Sequence, residues 1–485
     1  VAMLLTATLV AAPLPAQNLP SLGDTERGDL SPLMERRLGE RIMTDLRRDR
    51  DYLDDQPLRE YLNSLGASLL AARPDARGEA GYDFQFFAVR DPMLNAFALP
   101  GGFIGVHTGL MLASQNESEL ASVLSHEIGH VAQRHIARMI GSQRQDSLIP
   151  LAAMLLAALT ARSSPDFASA AMAGGQGLAI QRQLNFSREA EREADRVGLQ
   201  IMREGGFDTS GMVAFFARLQ SSARAYTDTA PAYLRTHPLT TERIADIQAR
   251  ISSDRYRQHA DSGDFQLMRA RSRVLQDPST QGLRDAASHF QTLLQQRNRS
   301  QMLAARYGLA MVALRQGDAV RAQALLDEAR AQDRNVVSPA LASLGIEIAS
   351  AARRADDALK LADEARRRFP LSRGIASQYG EALLLAGRQD EAVRYLRDQI
   401  QLYRQEPGLQ DKLARAYSAQ GKLALQHMAL AESYALKGSI PAALDQLGMA
   451  RRAPDASFYD QSVIDARERE LRAQRLEQLK DKELR

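Results

Sequence analysis

A spacing of 34 to 36 residues governs the second half of this chain. A small residue, an apolar one four positions on and a second small one three further recur at Ala322, Leu326 and Ala329. They recur again at Ala358, Ala362 and Ala365. Looser copies stand at Ala286 with Phe290, Ala392 with Leu396, and Ala443, Leu447 and Ala450. The first four copies are 36, 36 and 34 residues apart, and Gly387 and Gly421 are again 34 apart. A Tyr followed four positions later by Gly marks Tyr417 with Gly421 and Tyr434 with Gly438. One such period holds two antiparallel helices, and the small residues let the pair approach closely. Stacked pairs bury a continuous core and leave a concave groove, so residues 265–485 are expected to form an all-α solenoid.

The first half has no such period. At 485 residues the chain exceeds one ordinary domain, and 45% hydrophobic with 25% charged residues is globular composition. Residues 17–253 read as an α+β unit, mainly helical with a small sheet. Tyr82 to Val106 is rich in Phe and Val and is interrupted at Pro92 and at Pro100-Gly101-Gly102, which predicts two or three short strands. Asn116 followed by Glu119 is a capping-box pattern. Behind it Leu120, Val123, Leu124, Ile128, Val131 and Ile136 recur at helical spacing, predicting a buried helix of about six turns. Leu148 to Ala161 is apolar over only 14 residues, which fits a hairpin helix or a membrane-brushing loop. A Gly-containing stretch at 173–177 leads into a further helix near 188–203. Residues 254–264 lose periodicity and read as a linker.

Several function classes are excluded. The chain has no Cys, so disulfides, thiolate metal sites and cysteine nucleophiles are absent. Lys and Arg number 62 against 59 acidic residues, and there is no long basic run. Only 6 of those 62 are Lys, so nucleic acid is not an expected partner. The apolar run of residues 1–16 is too short to span about 30 Å of hydrocarbon. It matches the core of a secretion signal lacking its start, with cleavage expected before Gln17. An exported protein is therefore expected.

The chemistry is concentrated in His126-Glu127-Ile128-Gly129-His130. Residues four apart share a helix face, so both imidazoles can point at one ion. Glu127 projects beside them, where it can hold a water and take its proton. Catalytic zinc needs a third protein ligand. Glu191-Arg192-Glu193-Ala194-Asp195 offers it, with Glu191 as the ligand and Asp195, one turn later, fixing a ligand imidazole. Glu193 points elsewhere and reads as solvated, though it is the alternative ligand. His135 is rotated roughly 140° from the metal face and reads as packed or exposed. His107 could line the cleft, without any spacing that demands it. His237 precedes Pro238, which favours an extended backbone. It could cap the ion, stabilise an oxyanion, or serve only the turn.

Taken together, HEIGH and EREAD, with NAFALPGGFIGVHTGLMLASQNESELASVLSHEIGHVAQRH, THPLTTERIAD and LPSLGD, resemble the HtpX-type gluzincin peptidases. The resemblance is closest to the periplasmic branch with C-terminal repeats, and the repeats here are similar to tetratricopeptide repeats. It implies one Zn2+ on His126, His130 and Glu191, Glu127 as base and Asp195 as supporting acid. It places His237 on a loop that can approach the zinc and restrain activity. The implied partners are the outer-membrane β-barrel assembly machinery and unfolded or stalled outer-membrane proteins, with peripheral membrane contact. The reading from another class is a periplasmic chaperone or adaptor with a silent metal site. An open fourth coordination position separates the two, unless His237 fills it.

Overall fold

The computed structural model describes residues 30–78, 81–141, 188–225, 232–252, 259–296, 298–332 and 337–483. The expected leader, the apolar stretch at 148–161 and the glycine run at 173–177 lie outside these. No described helix is long and apolar enough to cross a membrane.

Among the described residues the sheet has four strands in the order β1-β2-β4-β3. They are β1 (Tyr52–Leu53), β2 (Gln85–Val89), β3 (Ala96–Leu99) and β4 (Phe103–His107). Of the two or three strands expected in Tyr82–Val106, three are present, and the two-residue β1 was too short to carry a sequence pattern. β2 and β4 run parallel, while β3 is antiparallel to β4 and forms an edge. Helix α1 (Pro32–Leu46) covers one face through Ile42, Met43 and Leu46 against Phe87, Phe97 and Phe103. Helices α2 (Gln56–Ala72) and α4 (Glu117–Ala132) cover the other, where Phe86, Ala88, Ile104 and Val106 join Leu62 and Leu124. Burial on both faces explains why these strands read as apolar runs without alternation.

Short α3 (Thr108–Ala113) leads into α4. Asn116 caps α4 by accepting the Glu119 N–H at 2.9 Å, and the Glu119 carboxylate accepts the Gln115 N–H at 2.8 Å. The return bond thus reaches one residue before the cap. The expected six-turn helix is interrupted. It ends at Ala132, Arg134 adopts a left-handed φ of 52°, and α5 (His135–Gly141) starts in a new direction. Arg134 is held there by the buried Glu35 carboxylate at 3.3 Å and by the Leu30 carbonyl.

Among the described residues four further helices belong to this half: α6 (Arg188–Glu204), α7 (Ser210–Ala225), α8 (Ala232–Thr236) and α9 (Thr241–Ile251). Beyond them, α10 (Gly263–Gln276) opens an array of antiparallel helix pairs. These are α11 (Thr280–Gln295), α12 (Arg299–Arg315), α13 (Ala319–Gln332), α14 (Pro339–Ala351), α15 (Ala355–Arg368), α16 (Arg373–Leu385) and α17 (Gln389–Leu402). α18 (Pro407–Ala419), α19 (Leu423–Leu436), α20 (Ile440–Arg452) and α21 (Phe458–Glu483) follow. The periodic small residues Ala322, Ala358, Ala362, Ala392 and Ala443 are fully buried between paired helices. Gly387 and Gly421 turn one helix into its partner at φ of 70° and 71°, a conformation costly for a residue with a Cβ.

Apolar contacts cross the position of the expected linker without a break, from Leu53 to Ile348. At 259–262 the chain is tied to the start of α4. Glu117 accepts the Ser262 N–H and Oγ–H at 2.8 and 2.6 Å, and Asp261 accepts the Glu117 N–H at 2.8 Å. Later repeats return to α1 and α2. Arg59 forms a two-pronged pair with Glu406 at 2.9 Å, and Glu60 accepts from Ser372 and from the Gly374 N–H. Part of the repeat face is therefore occupied by the chain's own first half.

Candidate active site

Helices α4 and α6 carry the chemistry, and small residues bring their backbones together. A Cβ on Gly129 would lie 2.9 Å from the Ala194 carbonyl oxygen, and one on Gly198 would lie 3.0 Å from the His126 backbone nitrogen. At this closeness Glu191 reaches both imidazoles of α4. Its carboxylate oxygens stand 3.5 Å from His126 Nε2 and 3.4 Å from His130 Nε2, and those two nitrogens are 3.0 Å apart. His237, just past α8, completes the group. Its Nδ1 is 3.0 Å from Glu191 Oε1 and 3.4 Å from His126 Nε2, and its Nε2 is 3.5 Å from Glu127 Oε1. One donor atom each from His126, His130, Glu191 and His237 falls within 4.8 Å of the others, and all four residues are buried.

The donor set fits a transition metal. Two imidazole nitrogens facing each other and a carboxylate, closed off from water, leave lone pairs converging on one point, and two imidazoles with a carboxylate suit zinc. Both Glu127 oxygens are buried, and the Ala98 amide and His237 Nε2 are the polar groups that face this carboxylate. Burial raises its pKa above the usual carboxylate value, partly opposed by His237 and His126. Burial alone would also raise Glu191, but His237, His126 and His130 hold it well below the usual range. His130 is pushed well down by burial. Burial would lower His126 likewise, yet Asp195 and Glu191 bring it up to about 9.

The supporting residues are partly those expected. Asp195 Oδ1 lies 2.9 Å from His126 Nδ1 and orients that ring. Arg243 was not legible as a site residue. Its guanidinium forks onto Asp195 at 2.7 and 2.8 Å, and its third nitrogen sits 2.7 Å from Glu191 Oε2. Nothing in LTTERIAD distinguishes it from a solvated helix Arg until α9 is folded against α6. Tyr233, one turn before His237 in α8, stacks on it at 4.6 Å. Its amide donates to Leu94 O at 3.2 Å, beside edge strand β3.

Three expectations are revised. Glu193 stands outside the converging group of donors and is not merely solvated. It accepts from Arg138 at 3.0 Å and pairs with His135 at 3.1 Å. His135 is buried, as one of the expected alternatives, but the break at Arg134 turns it back so that its Nδ1 lies 2.9 Å from His130 Nδ1. An uninterrupted helix, assumed for the rotation argument, would have prevented this. His107 does not line the cleft. It is buried at the end of β4 against Phe97, on the α1 side of the sheet, with burial pulling its pKa to about 4.

A buried His-Glu-x-x-His helix with a carboxylate from a second helix defines a metallopeptidase centre. Residues 59–251 match Peptidase family M48. Over 94% of its length the chain is 31% identical to the beta-barrel assembly-enhancing protease of Escherichia coli O157:H7, covering 92% of that protein. It is 39% identical over 54% of its length to a putative beta-barrel assembly-enhancing protease of Vibrio cholerae, covering 54% of that chain. It is also similar to the mitochondrial metalloendopeptidase OMA1 of Schizosaccharomyces pombe, at 32% over 35% of this chain and 48% of that one. The chain belongs to peptidase family M48 and, within it, to the group of the beta-barrel assembly-enhancing proteases.

Proposed function

We propose that this protein is a periplasmic zinc endopeptidase and chaperone that serves outer-membrane β-barrel assembly by cleaving misfolded or stalled barrel proteins. The observation that carries the chemistry is the convergence of His126, His130 and Glu191 on one buried point beside the buried carboxylate of Glu127. His126, His130 and Glu191 would hold the ion. Zinc there would supply Lewis acidity, polarising a peptide carbonyl and acidifying a water. Glu127 takes the proton from that water and delivers it to the departing amine. Asp195 and Arg243 keep His126 and Glu191 in place during the turnover.

Among the described residues β3 lies at the edge of the sheet, and an extended unfolded segment would pair along it. That substrate form suits a barrel strand that has not yet found its neighbours. His237 stands where a fourth ligand would, and in this reading it restrains the enzyme until substrate or partner displaces α8. The names of the relatives support the assignment to barrel assembly, and the leader expected at residues 1–16 supports the compartment.

The test is direct. The purified protein should hold about one zinc and cleave an unfolded outer-membrane protein. Glu127→Gln should keep the zinc and lose cleavage, whereas His126→Ala should lose the metal. Cleavage by Glu127→Gln at the parental rate would reject the mechanism.

A further inference from the structure

The two imidazoles of α4 are supported in different ways. His126 Nδ1 meets a carboxylate, that of Asp195, at 2.9 Å. His130 Nδ1 meets another imidazole, His135 Nδ1, also at 2.9 Å. On its far side His135 Nε2 lies 3.1 Å from Glu193 Oε2, and that carboxylate is gripped by Arg138 at 3.0 Å. The chain of contacts runs from a fully buried ring to a carboxylate 31% exposed to solvent.

Only one arrangement of protons satisfies all three contacts when His130 Nε2 offers its lone pair to the group it faces. His130 must then carry its proton on Nδ1, because a neutral imidazole has one N–H. It donates that proton to His135 Nδ1, which must be bare. His135 in turn carries its proton on Nε2 and donates it to Glu193. The left-handed residue Arg134, two residues after α4 ends at Ala132, is what brings His135 to this position.

We propose that His135 is a positioning residue for the metal centre: together with Glu193 it fixes the tautomer and orientation of His130 and thereby the affinity of the site for its ion. This rests on the reading of His126, His130 and Glu191 as the metal ligands. Partners one bond removed from a metal ligand commonly change metal affinity by about 10- to 100-fold when lost.

The experiment measures zinc affinity of the full chain by competition with a chromophoric chelator. His135→Phe keeps the ring shape without an acceptor and should weaken zinc binding by about 10- to 100-fold. His135→Asn places Oδ1 where Nδ1 stood and should recover most of that loss, which a purely structural role for the ring would not allow. Glu193→Ala, at a partly exposed position that leaves the core intact, should weaken binding by a smaller factor. It carries the test if His135→Phe does not fold. Parental affinity in His135→Phe, an Asn variant as weak as the Phe variant, or unchanged affinity in Glu193→Ala would each overturn the proposal. A parental chain that binds no zinc would reject the ligand assignment itself, a different failure.

Discussion

Gly129 on α4 faces Ala194 on α6 so closely that a Cβ on the glycine would stand 2.9 Å from the Ala194 carbonyl oxygen. This contact sets how near Glu191 comes to His126 and His130. Gly129→Ala should push the helices apart, costing about 1–3 kcal/mol of stability, as overpacking does. It should also weaken zinc binding although no ligand is changed. Zinc content and urea unfolding of the variant check both, and an unchanged zinc content would show that the helices adjust without moving Glu191.

His237 and Glu127 are 3.5 Å apart, so an imidazole in this place crowds the space where Glu127 must receive a water. His237→Ala should retain zinc on the other three ligands and raise basal proteolysis, self-cleavage included. If the cap holds nine molecules in ten shut, the gain is about tenfold. A fall on the order of a hundredfold would instead assign His237 to oxyanion stabilisation. No change on either a peptide or an unfolded protein would leave it only a turn residue.

Arg243 joins Asp195 and Glu191, both buried, through three contacts of 2.7 to 2.8 Å. Arg243→Met leaves two carboxylates without their cation, and breaking a buried pair from one side costs about 3–5 kcal/mol. Arg243→Lys should rescue little, because an ammonium cannot reproduce the planar fork. Chemical denaturation of the metal-free variants reads this, and equal stability of the Met variant and the parent would refute it.

Glu60 is half-buried against the Ser372 hydroxyl and the Gly374 amide, and its desolvation raises its pKa above the ordinary 4.5 despite those two donors. The folded state therefore binds this proton more firmly than the unfolded one. Its contribution to stability is fully present below about 4.5 and is lost as pH rises through the folded value. Glu60→Gln removes the titration, so the stability of the variant relative to the parent should increase from pH 4 to pH 7. Urea unfolding across that range measures the difference, and a difference that shrinks with pH has the wrong sign.

Local pattern carried much of this protein. The His126-x-x-x-His130 spacing, the Asn116 cap, the apolar runs that became β2, β3 and β4, and the 34- to 36-residue period each depend on residues close in sequence, whose geometry follows from one helix or one strand. Tertiary structure decided the rest. Arg243 became a site residue only because α9 packs against α6. His135 gained its contact with His130 because Glu35 and Leu30, about 100 residues earlier, hold Arg134 in a left-handed turn. The repeat face meets α1 and α2 through pairs such as Arg59 with Glu406. Such contacts join segments far apart in the chain, and a buried polar side chain shows no periodicity by which its partner could be read.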